Sequence, residues 1–298
     1  MDKEILTILA HDCRTPYREI AKKLEISANA VKKRIDHLIE REIISDFIVE
    51  FNPAMIGSEM AFIWLTTDGT ESKSNFITEI GHHQAISQVA PVFGGGYLLF
   101  GEYENSMALT DLSDFLRNRE SVSNVEIHAI ATPSGTKVDL TRLQIRVLKA
   151  LLSDARMQIK DIARLTGITV RIVRRTLNEL KEGGGIRFSL RWRLSAGDRV
   201  AFHPRIEWSE KEISRQDFLD WLIREYQEEL WVGMMAATRP MFIGSAIVDT
   251  ISEVESVIQE IERQSFIKNA IAYIYQPARN FKSLRRLRLE QLVANSDV

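Results

Sequence analysis

The chain has 298 residues, 45% hydrophobic and 27% charged, with a net charge of −2 and a pI of about 6.4. That length holds two ordinary domains or more if they are small, and the charge balance excludes a polycation, so any nucleic-acid footprint has to be local. A single cysteine, Cys13, excludes an intrachain disulfide, and the charged residues among the first twenty positions argue against a signal peptide, so a reducing, cytoplasmic setting is expected.

Asp2 is a plausible cap for a first helix that turns Ile5, Leu6 and Leu9 inward. A second helix is expected from about Pro16, a good first-turn residue, to Leu24. "EIS" follows, and Ser27 caps a third helix to about Glu40. On that helix Val31, Ile35 and Leu38 fall at i, i+4 and i+7 and make one buried face. Asn29, Lys32, Lys33 and Asp36 are left outward, flanked by Arg34 and His37. "IISDFIVEF" then reads as a strand. Three helices followed by a strand pair predict a winged helix-turn-helix over residues 1–52.

Residues 58–133 alternate differently. A strand at 60–68 and a helix at 73–81 precede two strands within 85–103 joined by Gly94, Gly95 and Gly96. A helix at 106–118 and a strand at 124–132 complete a ferredoxin-like βαββαβ unit. The linker at 132–137 is marked by its Pro, Ser and Gly.

The plan then repeats. A shift of 142 residues lays Ile20-Ala21 on Ile162-Ala163, Ile26-Ser27 on Ile168-Thr169, Val31 on Val173 and Leu38 on Leu180. The same shift lays Asp12 and Arg14 on Asp154 and Arg156. A second winged helix-turn-helix is therefore expected at 138–195, with Val173, Leu177 and Leu180 inward and Arg171, Arg174, Arg175 and Asn178 outward. Its strand at 186–194 alternates Ile186, Phe188, Leu190, Trp192 and Leu194 with Arg187, Ser189, Arg191 and Arg193, which reads as half-buried with one basic face. A second ferredoxin-like unit is expected at 199–277, from segments at 200–208, 214–228, 230–237, 241–248, 250–263 and 268–276. The most apolar window, 230–248, is interrupted by Arg239-Pro240 and reads as two strands and a turn, not a membrane span. The tail at 278–298 predicts a basic amphipathic helix over 278–293, with Phe281, Leu284, Leu287 and Leu292 near one side, packed on its own domain. The fold class is α+β, two such units in tandem, with the β-sheet modules face to face.

Charge is concentrated on the helix-turn-helix segments. Residues 14–41 hold eight Lys and Arg against four Asp and Glu, and 156–182 hold seven against three. That is the distribution of a local phosphate footprint on double-stranded DNA. Asn suits adenine edges, and Lys and Arg suit guanine edges or phosphates. The expected reading residues are Ser27, Asn29, Lys32, Lys33 and Arg34 in the first copy and Thr169, Arg171, Arg174, Arg175 and Asn178 in the second. Backbone contacts are expected from Lys22, Lys23, Arg164, Arg187, Arg191 and Arg193. The six histidines and lone cysteine show no metal-ligand spacing, and no nucleophile elbow or dinucleotide fingerprint is present. No metal, cofactor or catalysis is expected.

The stretch "MDKEILTILAHDCRTPYREIAKKLEISANAVKKRIDHLIEREII", with its wing and βαββαβ unit, resembles the Lrp/AsnC family of transcription regulators. The residues behind the resemblance are Asp12-x-Arg14, Ile20-Ala21, Ile26-Ser27, Val31 and Arg34, and the first copy is the closer match. The family has one unit per chain and pairs chains through the sheet domains. The resemblance therefore implies a fused dimer that meets half-sites about one helical turn apart, with further homo-oligomers through the ferredoxin-like modules. It also implies a small-molecule effector, an amino acid or other metabolite, at a glycine turn followed by an acidic residue. Gly94, Gly95 and Gly96 supply the turn, but Tyr97 stands at the acidic position, and the second copy has "ATRPMFI" with no glycine. Read from the residues alone, the three glycines are a hairpin turn needing positive φ. Two alternatives accompany the resemblance. Siroheme decarboxylases resemble the same fold, and a porphyrin with many carboxylates would need converging cations, for which His128, Arg205 and Arg239 are scattered along the sequence. The other is a ligand-sensing module whose helix-turn-helix units no longer bind DNA.

Overall fold

The computed structural model describes residues 1–131, 135–193, 199–274 and 276–296. Residues 132–134 of the linker and Leu194 of the second wing strand lie outside the described residues. The first copy runs α1 (Asp2–His11), α2 (Tyr17–Leu24), α3 (Ala28–Glu40), β1 (Ile44–Phe51), β2 (Glu59–Thr67), α4 (Lys73–Gly81), β3 (Ile86–Pro91), β4 (Tyr97–Tyr103), α5 (Ser106–Arg117) and β5 (Val122–Ala131). The second runs α6 (Arg142–Leu151), α7 (Ile159–Thr166), α8 (Val170–Glu182), β6 (Ile186–Trp192), β7 (Val200–Trp208), α9 (Arg215–Glu225), β8 (Leu230–Ala236), β9 (Met241–Val248), α10 (Ile251–Glu262) and β10 (Ile267–Ile274). A short β11 (Arg279–Asn280) and α11 (Leu284–Ala294) close the chain. The residues gather into two compact units. One holds both helix-turn-helix segments and the tail (Met1–Ser58, Pro133–Arg193, Lys282–Val298), the other both βαββαβ segments (Glu59–Thr132, Leu194–Phe281).

In the helical unit, Ile5, Leu6, Leu9, Ile20, Val31, Ile35 and Leu38 are buried as their spacing requires. In the second copy Ile145, Leu148, Leu151, Val173, Leu177 and Leu180 pack with Val49 and Phe51 of β1 in one core. The wing differs from expectation. Among the described residues neither copy makes its own strand pair; β1 and β6 pair with each other, antiparallel, from Ile44 opposite Trp192 to Phe51 opposite Ile186. A lone strand leaves its backbone groups unpaired, and the repeat supplies the partner. The basic face of β6 is also only partial. Arg187 is exposed, but Ser189 is buried and its hydroxyl donates to the Ala10 carbonyl at the end of α1 (2.7 Å).

Two Asp-x-Arg turns lock the copies together. The Asp12 carboxylate accepts from the Arg14 backbone N–H (2.9 Å), and Asp154 does the same for Arg156 (2.8 Å). Arg14 donates to the carbonyls of Ala155 and Met157, and Arg156 donates back to those of Cys13 and Thr15. Cys13 N–H reaches the Phe188 carbonyl and Ala155 N–H the Phe47 carbonyl, each at 3.1 Å. The exchange has the form of a two-fold interface with both halves in one chain. Cys13 is fully buried within it. Burial pushes its thiol up to about 12, against the pull of Arg156 and Arg14. The thiolate is the reactive form, so at pH 8 a disulfide reagent should leave Cys13 untouched in native protein and modify it in urea. Rapid stoichiometric reaction of the folded chain would contradict the burial.

The tail is a correction in phase and extent. Its helix begins at Leu284, and Arg279–Asn280 form a short strand on β3. Leu289 and Val293 enter the core with Leu284 buried beside them, whereas Leu292 is 36% exposed. Arg285 shares the buried face.

In the sheet unit the order β5-β2-β4-β3 and its counterpart β10-β7-β9-β8 are the two expected ferredoxin-like sheets. They join through β5 and β8, with Ile130 opposite Ala236 and Ala131 opposite Met235, and with β11 added on β3 they make one nine-stranded sheet among the described residues. β2 is apolar on both faces because both are covered. Ala61, Ile63 and Leu65 pack under α4 and α5 with Phe76, Ile80, Leu112 and Leu116. Phe62 packs on the opposite face with Leu98 and with Met241 and Ile243 of the second copy. Trp64 stacks on Tyr273 with centroids 4.2 Å apart. The two sheets thus share a core between their helix-free faces, as expected, and also an edge, which was not.

His203 on β7 is 4% exposed, and its Nδ1 donates to the Gly244 carbonyl (2.7 Å). Burial pushes its imidazole down to about 4. The unfolded chain takes up this proton near pH 6.5 and the folded chain resists it until about 4, so stability falls as pH drops through that window and levels off below it. The expected loss is about 3 kcal/mol. Urea unfolding at pH 7, 5.5 and 4 should show a shallower acid loss for His203→Asn than for the parent. Equal pH slopes would contradict a neutral, buried His203.

Candidate nucleic-acid interface

α2 and α3 are joined by a turn in which Glu25 adopts φ +55° and the Ile26 N–H returns to the Ala21 carbonyl (3.1 Å). Gly167 takes the same left-handed place between α7 and α8 (φ +67°), and Ile168 N–H reaches Ala163. Glycine adopts that conformation without cost and glutamate does not, so the first copy carries local strain that the second avoids. The Ser27 hydroxyl accepts from the Ala30 N–H (3.1 Å) and that of Thr169 from the Ile172 N–H (3.4 Å). Ser27 and Thr169, both expected to touch DNA, are thus N-caps that set where α3 and α8 begin.

Asn29, Lys32, Lys33 and Arg34 are exposed on α3, and Arg171, Arg174, Arg175 and Asn178 on α8. Lys22, Lys23 and Arg164 are exposed at the ends of α2 and α7. Several hold surface partners: Lys32 with Asp36 (2.8 Å), Arg34 with Asp2 (2.8 Å), Arg164 with Asp161 (3.2 Å) and Arg175 with Glu179 (3.2 Å). Exposed pairs of this kind are weak and exchange readily for a phosphate. Arg14 and Arg156 leave the footprint, because they are spent on the interface between copies; each module keeps an excess of about three positive charges.

The strand arginines divide. Arg187 is exposed, Arg193 pairs with Glu42 (2.6 Å), and Arg191 is half-buried. Arg191 lines a cavity of about 120 Å³ with Asp46, Lys282, Arg286 and Glu290.

The glycine turn sits in a second setting, in the sheet unit. Gly94, Gly95 and Gly96 have φ of +90°, +96° and +104°. They line a cavity of about 260 Å³ with Tyr97, Thr67, Asp68, Glu71 and Lys73. A side chain at Gly96 would meet the Leu65 carbonyl at 2.6 Å. Tyr97 donates its hydroxyl to Glu71 (2.8 Å), as does Thr67 (2.9 Å). Burial works against the Glu71 charge, but these bonds outweigh it and hold its carboxyl below the usual range. An acid does stand at the turn, brought from the loop after β2. Sequence spacing gave no sign of Asp68, Glu71 or Lys73 there.

His128, Arg205 and Arg239 converge despite their separation in sequence. Arg205 pairs with Glu126 (3.2 Å) and Glu207 (3.0 Å), Arg239 pairs with Glu207, and His128 Nε2 lies 3.5 Å from Glu126. Burial lowers the His128 pKa, and the Glu126 hydrogen bond opposes it. The two guanidiniums meet two carboxylates, so their charge is already matched.

Known proteins align with this organisation. An AsnC-type helix-turn-helix domain matches residues 1–39, and a winged helix-turn-helix DNA-binding domain matches 140–187. An uncharacterized HTH-type transcriptional regulator of Pyrococcus abyssi is 35% identical over 149 residues, which is 50% of this chain and 92% of that protein. The HTH-type transcriptional regulator LrpA of Pyrococcus horikoshii is 40% identical over 79 residues, 26% of this chain and 53% of LrpA, so the chain spans about half the length of that relative. The crystal structure of the siroheme decarboxylase NirDL covers 98% of both chains with a TM-score of 0.61 at 14% identity, a likeness of fold. Among the described residues no helix is long and apolar enough to cross a membrane. The chain belongs to the Lrp/AsnC family of HTH-type transcription regulators and carries its helix-turn-helix and ferredoxin-like unit twice.

Proposed function

We propose that the chain is a cytoplasmic regulator that binds double-stranded DNA sequence-specifically through α3 and α8, as a fused dimer. The observation behind this reading is the pair of exposed, N-capped basic helices on two copies joined by the reciprocal Arg14 and Arg156 exchange. Asn29, Lys32, Lys33, Arg171, Arg174 and Arg175 touch bases. Lys22, Lys23, Arg164 and Arg187 touch phosphates, and Arg34, Arg191, Arg193 and Asn178 support them from the flanks. Half-sites lie about one helical turn apart. An effector of amino-acid or similar size occupies the cavity beside Gly94, Gly95, Gly96 and Tyr97, and sheet modules of separate chains assemble into larger oligomers.

Selection from random duplex DNA at two salt concentrations tests this. An enriched pair of half-sites with a steep salt slope supports it. Feeble binding without sequence preference overturns it, and a coloured tetrapyrrole carried by the purified protein would then point to the decarboxylase-like alternative. Against that alternative stands the charge pairing of Arg205 and Arg239 with Glu126 and Glu207, which already matches the charge of those two guanidiniums.

A further inference from the structure

The two reading helices are not chemically equivalent. The 142-residue shift places Val170 where the first copy has Ala28, and Ile172 where it has Ala30. Val170 is 43% exposed and Ile172 36%. The core beneath α8 is filled by Val173, Thr176, Leu177 and Leu180, so these two aliphatic side chains are surplus to it. Arg171 and Arg174, both exposed, lie beside them on the same helix. Two positions apart, they lie on different flanks of α8, so each is a single aliphatic group beside exposed guanidiniums, and such an arrangement does not suit a hydrophobic protein partner, because docking one would strip water from the charges. It suits a surface that is anionic at its edges and apolar within.

The major groove of DNA is such a surface. The first residues of a reading helix are those that reach base edges, and Val170 is the first residue of α8. The apolar group a base edge offers there is the C5-methyl of thymine. The first copy has no aliphatic side chain larger than alanine at these places and presents Asn29 instead, which suits adenine. We propose that α8 reads a thymine-containing half-site through Val170 and Ile172 while α3 reads a different half-site through Asn29 and its lysines. The operator is then asymmetric and the fused chain binds it in one orientation, which a dimer of identical chains has no means to enforce. The inference rests on the DNA-binding reading and deepens it.

The test uses the full chain and its selected duplex. Thymines are replaced one at a time by deoxyuridine, which removes only the methyl. In one half-site, replacement should weaken binding about fourfold for each contacted methyl. The V170A/I172A variant, altered only at exposed positions, should lose that sensitivity while keeping its response to changes in the other half-site. An operator built from two copies of either half-site should bind less tightly than the natural pair. Identical enriched half-sites, a deoxyuridine penalty that is equal in both, or a penalty unchanged in V170A/I172A would each overturn the asymmetry while leaving DNA binding intact. Absence of any enriched duplex would remove both readings together.

Discussion

Alanine at Lys32, Lys33, Arg171 and Arg174 together should weaken binding to the selected duplex about a thousandfold, without moving the unfolding midpoint. All four side chains are exposed on α3 and α8, and none belongs to the core. Each lost base or phosphate contact is expected to cost roughly five- to tenfold, and four compound. The salt dependence separates the two kinds of contact. Every phosphate contact removed lowers the slope of log K against log salt by about one, whereas loss of a base contact leaves the slope and flattens sequence preference. Lys32 and Lys33 alone should affect one half-site, and Arg171 and Arg174 the other. Titration at 50 and 200 mM salt decides the matter. Unchanged affinity at both concentrations would remove α3 and α8 from the interface.

The helix-turn-helix segments were legible because their signals are local. The spacing of Val31, Ile35 and Leu38, the caps at Ser27 and Thr169, and the glycine at position 167 all act within one or two turns. The βαββαβ order was legible for the same reason, down to α4 at 73–81. What escaped the sequence was set by partners far along the chain. A strand's period says which face is buried but not which edge finds a partner, so the β1 and β6 pairing and the β5 to β8 seam were invisible. By composition Arg14 and Arg156 belong to the footprint charge, but their carbonyl partners lie more than 140 residues away in sequence, beyond the reach of any local pattern. Glu71 reaches the glycine turn from outside any motif window. In the tail the apolar period is interrupted by Arg285. A charged residue is by default assigned to solvent, so sequence spacing puts Phe281, Leu284, Leu287 and Leu292 near one side; Leu284 is buried, but Leu289 and Val293 are the core positions.

That buried arginine carries the second large expected effect. Arg285 is 4% exposed and pairs with Glu50, itself buried, at 3.2 Å. Glu50 also accepts from the Ser283 hydroxyl (2.8 Å), and Arg285 donates to the Phe51 carbonyl (3.2 Å). Neighbouring Arg286 donates to the Val49 carbonyl (2.7 Å) and to that of Leu152. The tail thus joins β1 of the first copy to the end of α6 of the second. Two ions withdrawn from water gain little as a pair, but removing one leaves the other stranded. Glu50→Ala should therefore destabilise the chain by about 3–5 kcal/mol, read from urea unfolding at constant m-value. A Glu50→Leu, Arg285→Met double variant should recover most of that loss, because apolar groups of similar size need no partner. A loss below about 1 kcal/mol for Glu50→Ala would mean that Arg285 finds water and the tail is not docked. On the proposed DNA-binding reading, docking matters because α11 holds both copies at once. If the tail loosens, the two half-sites should be bound with less coupling, and the double variant, with its tail restored, should recover the coupling along with the stability.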